Sequence, residues 1–238
     1  MGTLAAMGLP QIVAAAFEHE NTRKIKLEKD DIILFQGDSI TDWGRGHRAL
    51  LPNTTNGLGS GYVLLTAAHL LQNFPEKNLF IYNKGVSGNK VYQLNERWES
   101  DCLLYKPDIL SIHIGVNDFW HTVVYGYKGT IETYISDYHK LLTRTKLALP
   151  DIKFVICEPF AVKGVGSVDD RWLPYERFRT AARQIAEEYH ATFVPFQSVF
   201  DKAIHVAHPS YWSIDGIHPS VAGTALMAKA WTEVVSAN

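Results

Sequence analysis

The 238 residues include only two cysteines, Cys102 and Cys157, so a disulfide framework is not available. Neither has metal-ligand spacing around it, and both read as buried thiols. No stretch approaches 18 consecutive apolar residues, which excludes a membrane-spanning helix. Charge of one sign is also missing: 23 basic and 25 acidic residues are interspersed, leaving −2 overall. Without a basic face to neutralise phosphates, nucleic acid is not an expected partner. There is no internal repeat, low-complexity tract or linker. What remains is 46% hydrophobic and 20% charged, ordinary for a soluble globular chain and unlike a disordered one. A chain this long supports one domain that buries roughly 70–75% of its unfolded surface. No surface pattern forces an oligomeric state, and a homo-oligomer is compatible with the composition.

Residues 2–17 are small and apolar, with Ala14, Ala15 and Ala16 just before a charged stretch. That pattern resembles the end of an export signal, although it lacks a basic start and Pro10 interrupts it. Residues 1–24 are therefore expected to be the remnant of such a signal, on a protein that is periplasmic or secreted. The alternative is an N-terminal helix lying on the domain, with a cytoplasmic location. Residues 25–238 are expected to form the single domain.

Within it, short runs rich in β-branched residues alternate with longer stretches of helical spacing, the pattern of βαβ units around a parallel sheet. Strands are expected at 32–35, 79–82, 109–114, 154–157 and 192–195. Helices are expected at 62–73, 91–105, 131–148, 175–189 and 221–235, with Leu64, Ala67, Ala68 and Leu71 forming one buried stripe. The fold class is α/β, a three-layer α/β/α sandwich. Such sheets bind ligands beyond the carboxyl ends of their strands, so the loops following the strands are where chemistry is sought.

Gly37-Asp38-Ser39-Ile40-Thr41 follows the first expected strand and places a hydroxyl in a tight turn. It is not a G-x-S-x-G elbow, because Thr41 stands where the second glycine would be. Asn83-Lys84-Gly85-Val86-Ser87-Gly88-Asn89 follows the second, offering backbone N–H groups. Gly115-Val116-Asn117-Asp118 follows the third, and the neutral Asn117 amide is suited to donate to a developing oxyanion. Near the end, Asp215-Gly216-Ile217-His218-Pro219 sets a carboxylate and an imidazole three residues apart. Each loop alone reads as a turn; their joint occurrence, in this order and at these places, does not.

These four segments resemble the four sequence blocks of the SGNH (GDSL-like) hydrolase superfamily, over about residues 32–225. The resemblance implies a flavodoxin-like five-stranded parallel sheet and a serine esterase needing no metal or organic cofactor. It further implies Ser39 as nucleophile, His218 as base, Asp215 as its orienting carboxylate, and an oxyanion hole made by Ser39, Gly88 and Asn117. The chemistry agrees. A serine hydroxyl is a poor nucleophile near neutral pH, and an imidazole with a reference pKa near 6.5 is suited to take its proton.

Trp43, Trp120 and Trp212 lie close to these blocks and are candidate sugar-stacking surfaces, with packing anchors as the alternative. Asp42 and Arg45 are candidates for substrate contact or for bracing the turn. Gly57-Leu58-Gly59-Ser60-Gly61 has neither the preceding strand nor the lysine of a phosphate loop. His205 and His208 lack a third ligand, so no metal site is expected.

Stretches between the blocks, among them GDSITDWGR, NKGVSGNKV and KPDILSIHIGVNDFW, resemble bacterial acetylesterases that act on xylan or xylo-oligosaccharides. The expected substrate is thus an O-acetylated carbohydrate, a small or oligomeric ester. A broad lipase, lysophospholipase or thioesterase is the alternative within the superfamily. A non-catalytic carbohydrate-binding protein is the alternative outside it.

Overall fold

The computed structural model describes residues 8–18, 20, 23–166 and 168–236. Its strands are β1 (Ile25–Lys26), β2 (Ile32–Gly37), β3 (Phe80–Asn83), β4 (Ile109–His113), β5 (Lys153–Cys157), β6 (Thr192–Val194) and β7 (Val235–Ser236). The runs that form β2 and β4 to β6 are nearly continuous in apolar residues because a parallel sheet covered by helices on both faces leaves no face for water. Five strands pair in the order β3-β2-β4-β5-β6, all parallel. This is the flavodoxin-like order, and its switch point lies between β2 and β4. The carboxyl ends of β2, β3 and β4 therefore open onto one crevice.

The helices are α1 (Leu9–Phe17), α2 (Ser39–Asp42), α3 (Thr55–Leu58), α4 (Tyr62–Asn73), α5 (Val91–Glu96), α6 (Trp98–Asp101), α7 (Val116–Val124), α8 (Ile131–Ala148), α9 (Glu176–Glu188), α10 (Phe196–Ala203), α11 (Pro209–Trp212) and α12 (Val221–Thr232). One layer joins α1, α4, α10 and α12, and the other joins α5, α8 and α9. Two fully buried tryptophans anchor these layers, and each indole N–H finds an acceptor: Trp231 on Ser111 Oγ at 2.9 Å, Trp98 on Thr145 Oγ1 at 2.8 Å. Leaving either N–H unpaired in the core would cost about 1–3 kcal/mol.

Two expectations are revised. The helix expected over 91–105 is broken at Arg97 (φ −109°, ψ 10°) and again at Cys102, giving α5, α6 and a short 3₁₀ turn over Leu103–Tyr105. The last helix ends at Thr232, after which β7 pairs in parallel with β1 as a separate two-stranded sheet. In α1, Ile12, Val13 and Ala16 are buried against α10 and α12, and Arg183 donates two hydrogen bonds of 2.7 Å to the carboxylate of Glu20. Residues 1–7 of the signal-like stretch lie outside the described residues. Among the described residues no helix is long and apolar enough to cross a membrane.

Candidate active site

Ser39 opens α2 one residue beyond β2, and Asp38 is its N-cap, accepting the Ile40 N–H at 3.0 Å. Gly37 is required by crowding: a Cβ there would overlap Thr41 Oγ1 and the His113 carbonyl oxygen. The chain leaves α2 through Trp43, held at φ 35° in the left-handed region, where its N–H still reaches the Ser39 carbonyl at 3.0 Å. A non-glycine residue in that region costs on the order of 1–2 kcal/mol, so the surroundings over-determine it.

His218 comes from a different part of the chain, the loop between α11 and α12. That loop closes on itself. Ser213 is fully buried, donates to the His218 carbonyl at 2.8 Å and accepts from Gly216 N–H at 2.9 Å, while Ser213 and Pro219 form an antiparallel bridge. The result places His218 Nε2 2.8 Å from Ser39 Oγ, across 179 positions of sequence. Its other nitrogen, Nδ1, lies 2.8 Å from Asp215 Oδ2, and Asp215 Oδ1 accepts the N–H groups of Ile217 at 2.9 Å and His218 at 2.7 Å. Partial burial by itself would raise the Asp215 carboxyl. The hydrogen bonds from the His218 ring and from the two backbone N–H groups outweigh it and bring the pKa down to about 2. The same ring contact raises the His218 imidazole above its ordinary value, against the opposing effect of burial. A hydroxyl, an imidazole and a carboxylate thus form one continuous relay.

The N–H groups of Ser39 and of Gly88 (φ 80°) have no hydrogen-bond acceptor among the described residues. Asn117, buried at the start of α7, donates from Nδ2 to the Asn89 carbonyl at 3.2 Å, which leaves the second amide hydrogen for a ligand. Asp38 and Asp118, flanking Ser39 and Asn117 in sequence, are both buried, and burial pushes each up to about 7. The arrangement can move a proton off Ser39, and it leaves the Ser39 and Gly88 N–H groups and one Asn117 amide hydrogen free to donate to a ligand.

The remaining candidates divide. Trp43 is partly exposed, with its ring 5.8 Å from the His218 ring, and Trp120 is partly exposed and stacks on Trp172 at 5.0 Å. Both remain available to a substrate. Trp212 does not: it is 3% exposed and packs beneath α12, because the self-closing loop needs an anchor. Asp42 and Arg45 are buried and serve as internal braces. The Asp42 carboxylate accepts from Ser87 N and Oγ and from His47, and the Arg45 guanidinium, 6% exposed, donates to the Gly85 carbonyl at 2.7 Å. In the 57–61 segment, Ser60 N–H bonds to the Trp43 carbonyl, so the glycines form a joint with the Ser39 turn. His208 Nδ1 caps α11 by accepting the Ser210 N–H. Among the described residues no cluster of three or more His, Cys, Asp or Glu is arranged for a metal. His113, the last residue of β4, is a neutral core imidazole: burial holds its pKa down to about 3. Sequence reasoning passed over Asp38, Ser213, Ser87 and Arg97. Only Asp38 carried a local signal, an aspartate just before a helix start.

Residues 35–226 match the GDSL-like lipase/acylhydrolase family. The chain belongs to that family. As a member, it is a carboxylic ester hydrolase. It is 34% identical over 209 residues to an acetylxylan esterase of Geobacillus stearothermophilus, covering 87% of this chain and 94% of that one. A crystal structure of the Geobacillus enzyme superposes with a TM-score of 0.80 at 32% identity, over 88% of this chain and 95% of the other. A Parabacteroides merdae protein assigned as a GDSL-like lipase superposes with a TM-score of 0.87 at 53% identity, over 89% of this hydrolase and 98% of its own chain. Structures of the Geobacillus esterase described as catalytic mutants replace a serine, an aspartate and a histidine by alanine. In that enzyme the aspartate and histidine are three residues apart, the spacing of Asp215 and His218 here.

Proposed function

We propose that this hydrolase removes O-acetyl groups from carbohydrates, with xylan or xylo-oligosaccharides as the substrate class, through an acyl-enzyme on Ser39. The observation that carries the chemistry is the unbroken hydrogen-bond relay from Ser39 Oγ through His218 to Asp215, 2.8 Å at each ring nitrogen. Ser39 Oγ attacks the ester carbonyl as its proton passes to His218 Nε2. Asp215 keeps the proton on Nδ1 and stabilises the imidazolium. The carbonyl oxygen takes up negative charge, and the N–H groups of Ser39 and Gly88 with the Asn117 amide donate to it. As the tetrahedral species collapses, the carbon–oxygen bond to the sugar breaks and His218 returns the proton to the departing alkoxide. Water, deprotonated by His218, then releases acetate and restores Ser39.

The substrate class rests on the acetylxylan esterase similarity and on the openness of the site. The Asp215 and His218 side chains are 44% and 33% exposed, and Trp43 stands beside them as an aromatic face at the rim. An open site with aromatic rims suits a polar oligosaccharide carrying a small acyl group. A second reading, esters of longer acyl chains, is favoured by the 53% identity to a chain assigned as a lipase. Graded p-nitrophenyl esters together with acetylated xylo-oligosaccharides separate the two. The proposal expects rates to fall steeply beyond short acyl chains, with acetate released from the oligosaccharides and Ser39→Ala inactive on both. A maximum at long chains, or intact acetylated oligosaccharides, would overturn the substrate assignment.

A further inference from the structure

The loop over residues 84–90 carries Gly88 and touches Asn117. Its first half is tied to β2 by Lys84 N–H on the Phe35 carbonyl at 2.7 Å and Val86 N–H on the Gly37 carbonyl at 3.0 Å, while Gly88 lies beyond those bonds. Three polar side chains grip it. Arg97, at the break between α5 and α6, donates from Nε to Asn89 Oδ1 at 2.9 Å and from Nη1 to the Lys84 carbonyl at 2.8 Å. Nη1 also donates to Asp101 Oδ2 at 2.9 Å, which keeps the guanidinium aimed. A single planar group thus ties the beginning of the loop to its end. Asn89 then offers its carbonyl to Asn117 Nδ2 at 3.2 Å, so the grip extends to the second donor.

From the other side, Asp42 accepts the N–H of Ser87 at 3.0 Å and its hydroxyl at 2.8 Å, fixing the residue immediately before Gly88. The Asp42 side chain is 6% exposed, and His47, 3.2 Å away, covers it. Arg45 holds the Gly85 carbonyl at 2.7 Å, and the loop lies so close to α2 that a Cβ on Gly85 would overlap the backbone nitrogen of Asp42. Among the described residues the Gly88 N–H has no hydrogen-bond partner, and its orientation depends on what its neighbours hold. Oxyanion donors act only when pointed in advance at the oxygen that gains charge, and a displacement of about 1 Å can cost on the order of 100-fold.

We propose that Arg97 and Asp42 are positioning residues for ester hydrolysis, clamping the 84–90 loop from opposite sides so that the Gly88 N–H and the Asn117 amide converge on one oxygen. This rests on the oxyanion role given to those two donors above. The helix break at Arg97 then has a use. It releases the side chain from the surface of a continuous helix and turns it under the loop.

The test compares Arg97→Lys, Asp42→Asn and the milder Ser87→Ala in the full chain, using p-nitrophenyl acetate. Lysine keeps a cation for Asp101 but cannot present two directed N–H groups to Asn89 and Lys84 together. Asparagine at 42 keeps one oxygen for the two Ser87 donors but removes the negative charge that strengthens both bonds. Arg97→Lys and Asp42→Asn are expected to lower kcat about 10–100-fold, and Ser87→Ala about 3–10-fold. KM should stay within about twofold, because the loss falls on the transition state. In an Asn117→Ala background the Arg97→Lys loss should shrink by about threefold or more, since one donor it positions is gone. Fully additive losses, or losses confined to KM, would overturn the clamp while leaving the oxyanion assignment in place. Unchanged kcat in Ser87→Ala, alongside a second variant that fails to fold, would overturn it too. An Asn117→Ala variant with unaltered kcat would overturn the oxyanion assignment itself, and the clamp with it.

Discussion

Replacing Asp215 by Asn keeps the shape of the relay and removes its charge, which makes it a sensitive probe of how the esterase works. The carboxylate lies 2.8 Å from His218 Nδ1 and raises the imidazole above its ordinary value. A hydrogen bond to a charged group contributes about 1.5–3 kcal/mol, and one pKa unit corresponds to about 1.4 kcal/mol. Because the Asp215 side chain is 44% exposed, solvent screening places the effect near the lower end of that range. The sign follows from which form works. Only neutral His218 accepts the Ser39 proton, so kcat/KM in the wild type should fall as pH drops through a value above 6.5. In Asp215→Asn that acid limb should move to lower pH, because the contact that raises the imidazole is lost. Its plateau should drop by about 10² or more, because the forming imidazolium loses its counter-charge and the Nδ1 tautomer is no longer enforced. Hydrolysis of p-nitrophenyl acetate from about pH 4.5 to 9, with a control for alkaline background hydrolysis, reads both quantities. An acid limb that stays in place while the plateau falls would refute the electrostatic coupling, and an unchanged plateau would remove Asp215 from the chemistry.

Asn117→Ala is expected to lower kcat by about 10²–10³ with KM little changed, read by steady-state kinetics on the same ester. Ile12→Ala should cost about 2–5 kcal/mol in urea unfolding, because Ile12 of α1 is 1% exposed and packed in the core; a cost below about 0.5 kcal/mol would show that α1 is dispensable to the domain. His113 is held neutral down to about pH 3 in the folded state, whereas an unfolded chain protonates it near 6.5. Its contribution to stability is therefore complete above about 6.5 and is lost as pH falls toward 3, so His113→Phe should flatten the decline in urea midpoint between pH 7 and 4.5.

The parallel strands were legible because burial on both faces leaves nearly unbroken apolar runs such as Ile109 to Ile114. Ser39, Asn117 and the Asp215–His218 pair were legible because they follow recognisable loops and share one order. The direction in which a neighbouring side chain points was not. Asp42, Arg45 and Trp212 adjoin the reacting groups in sequence, yet they turn inward, and only the packing of α2 on the 84–90 loop and of α11 on α12 decides this. The breaks at Arg97 and Cys102 escaped the periodicity because α5 and α6 bury Val91, Leu94 and Trp98 at spacings a continuous helix would also satisfy. Small apolar residues suit a leader or a packed helix equally, so α1 was ambiguous until its neighbours were known. The pairing of β1 with β7 involves two residues on each side, too few to leave a pattern.

The self-closing loop that carries His218 has a thermal consequence. Nucleophile and base ride on two separately braced pieces, one fastened to the central sheet and the other to Ser213, Pro219 and the stretch around Val162, whose N–H bonds to the Gly216 carbonyl. Loosening of the second piece would part imidazole from hydroxyl while the sheet stayed whole. Heating should therefore silence the enzyme some degrees before its circular dichroism changes, and cooling from that interval should bring the activity back.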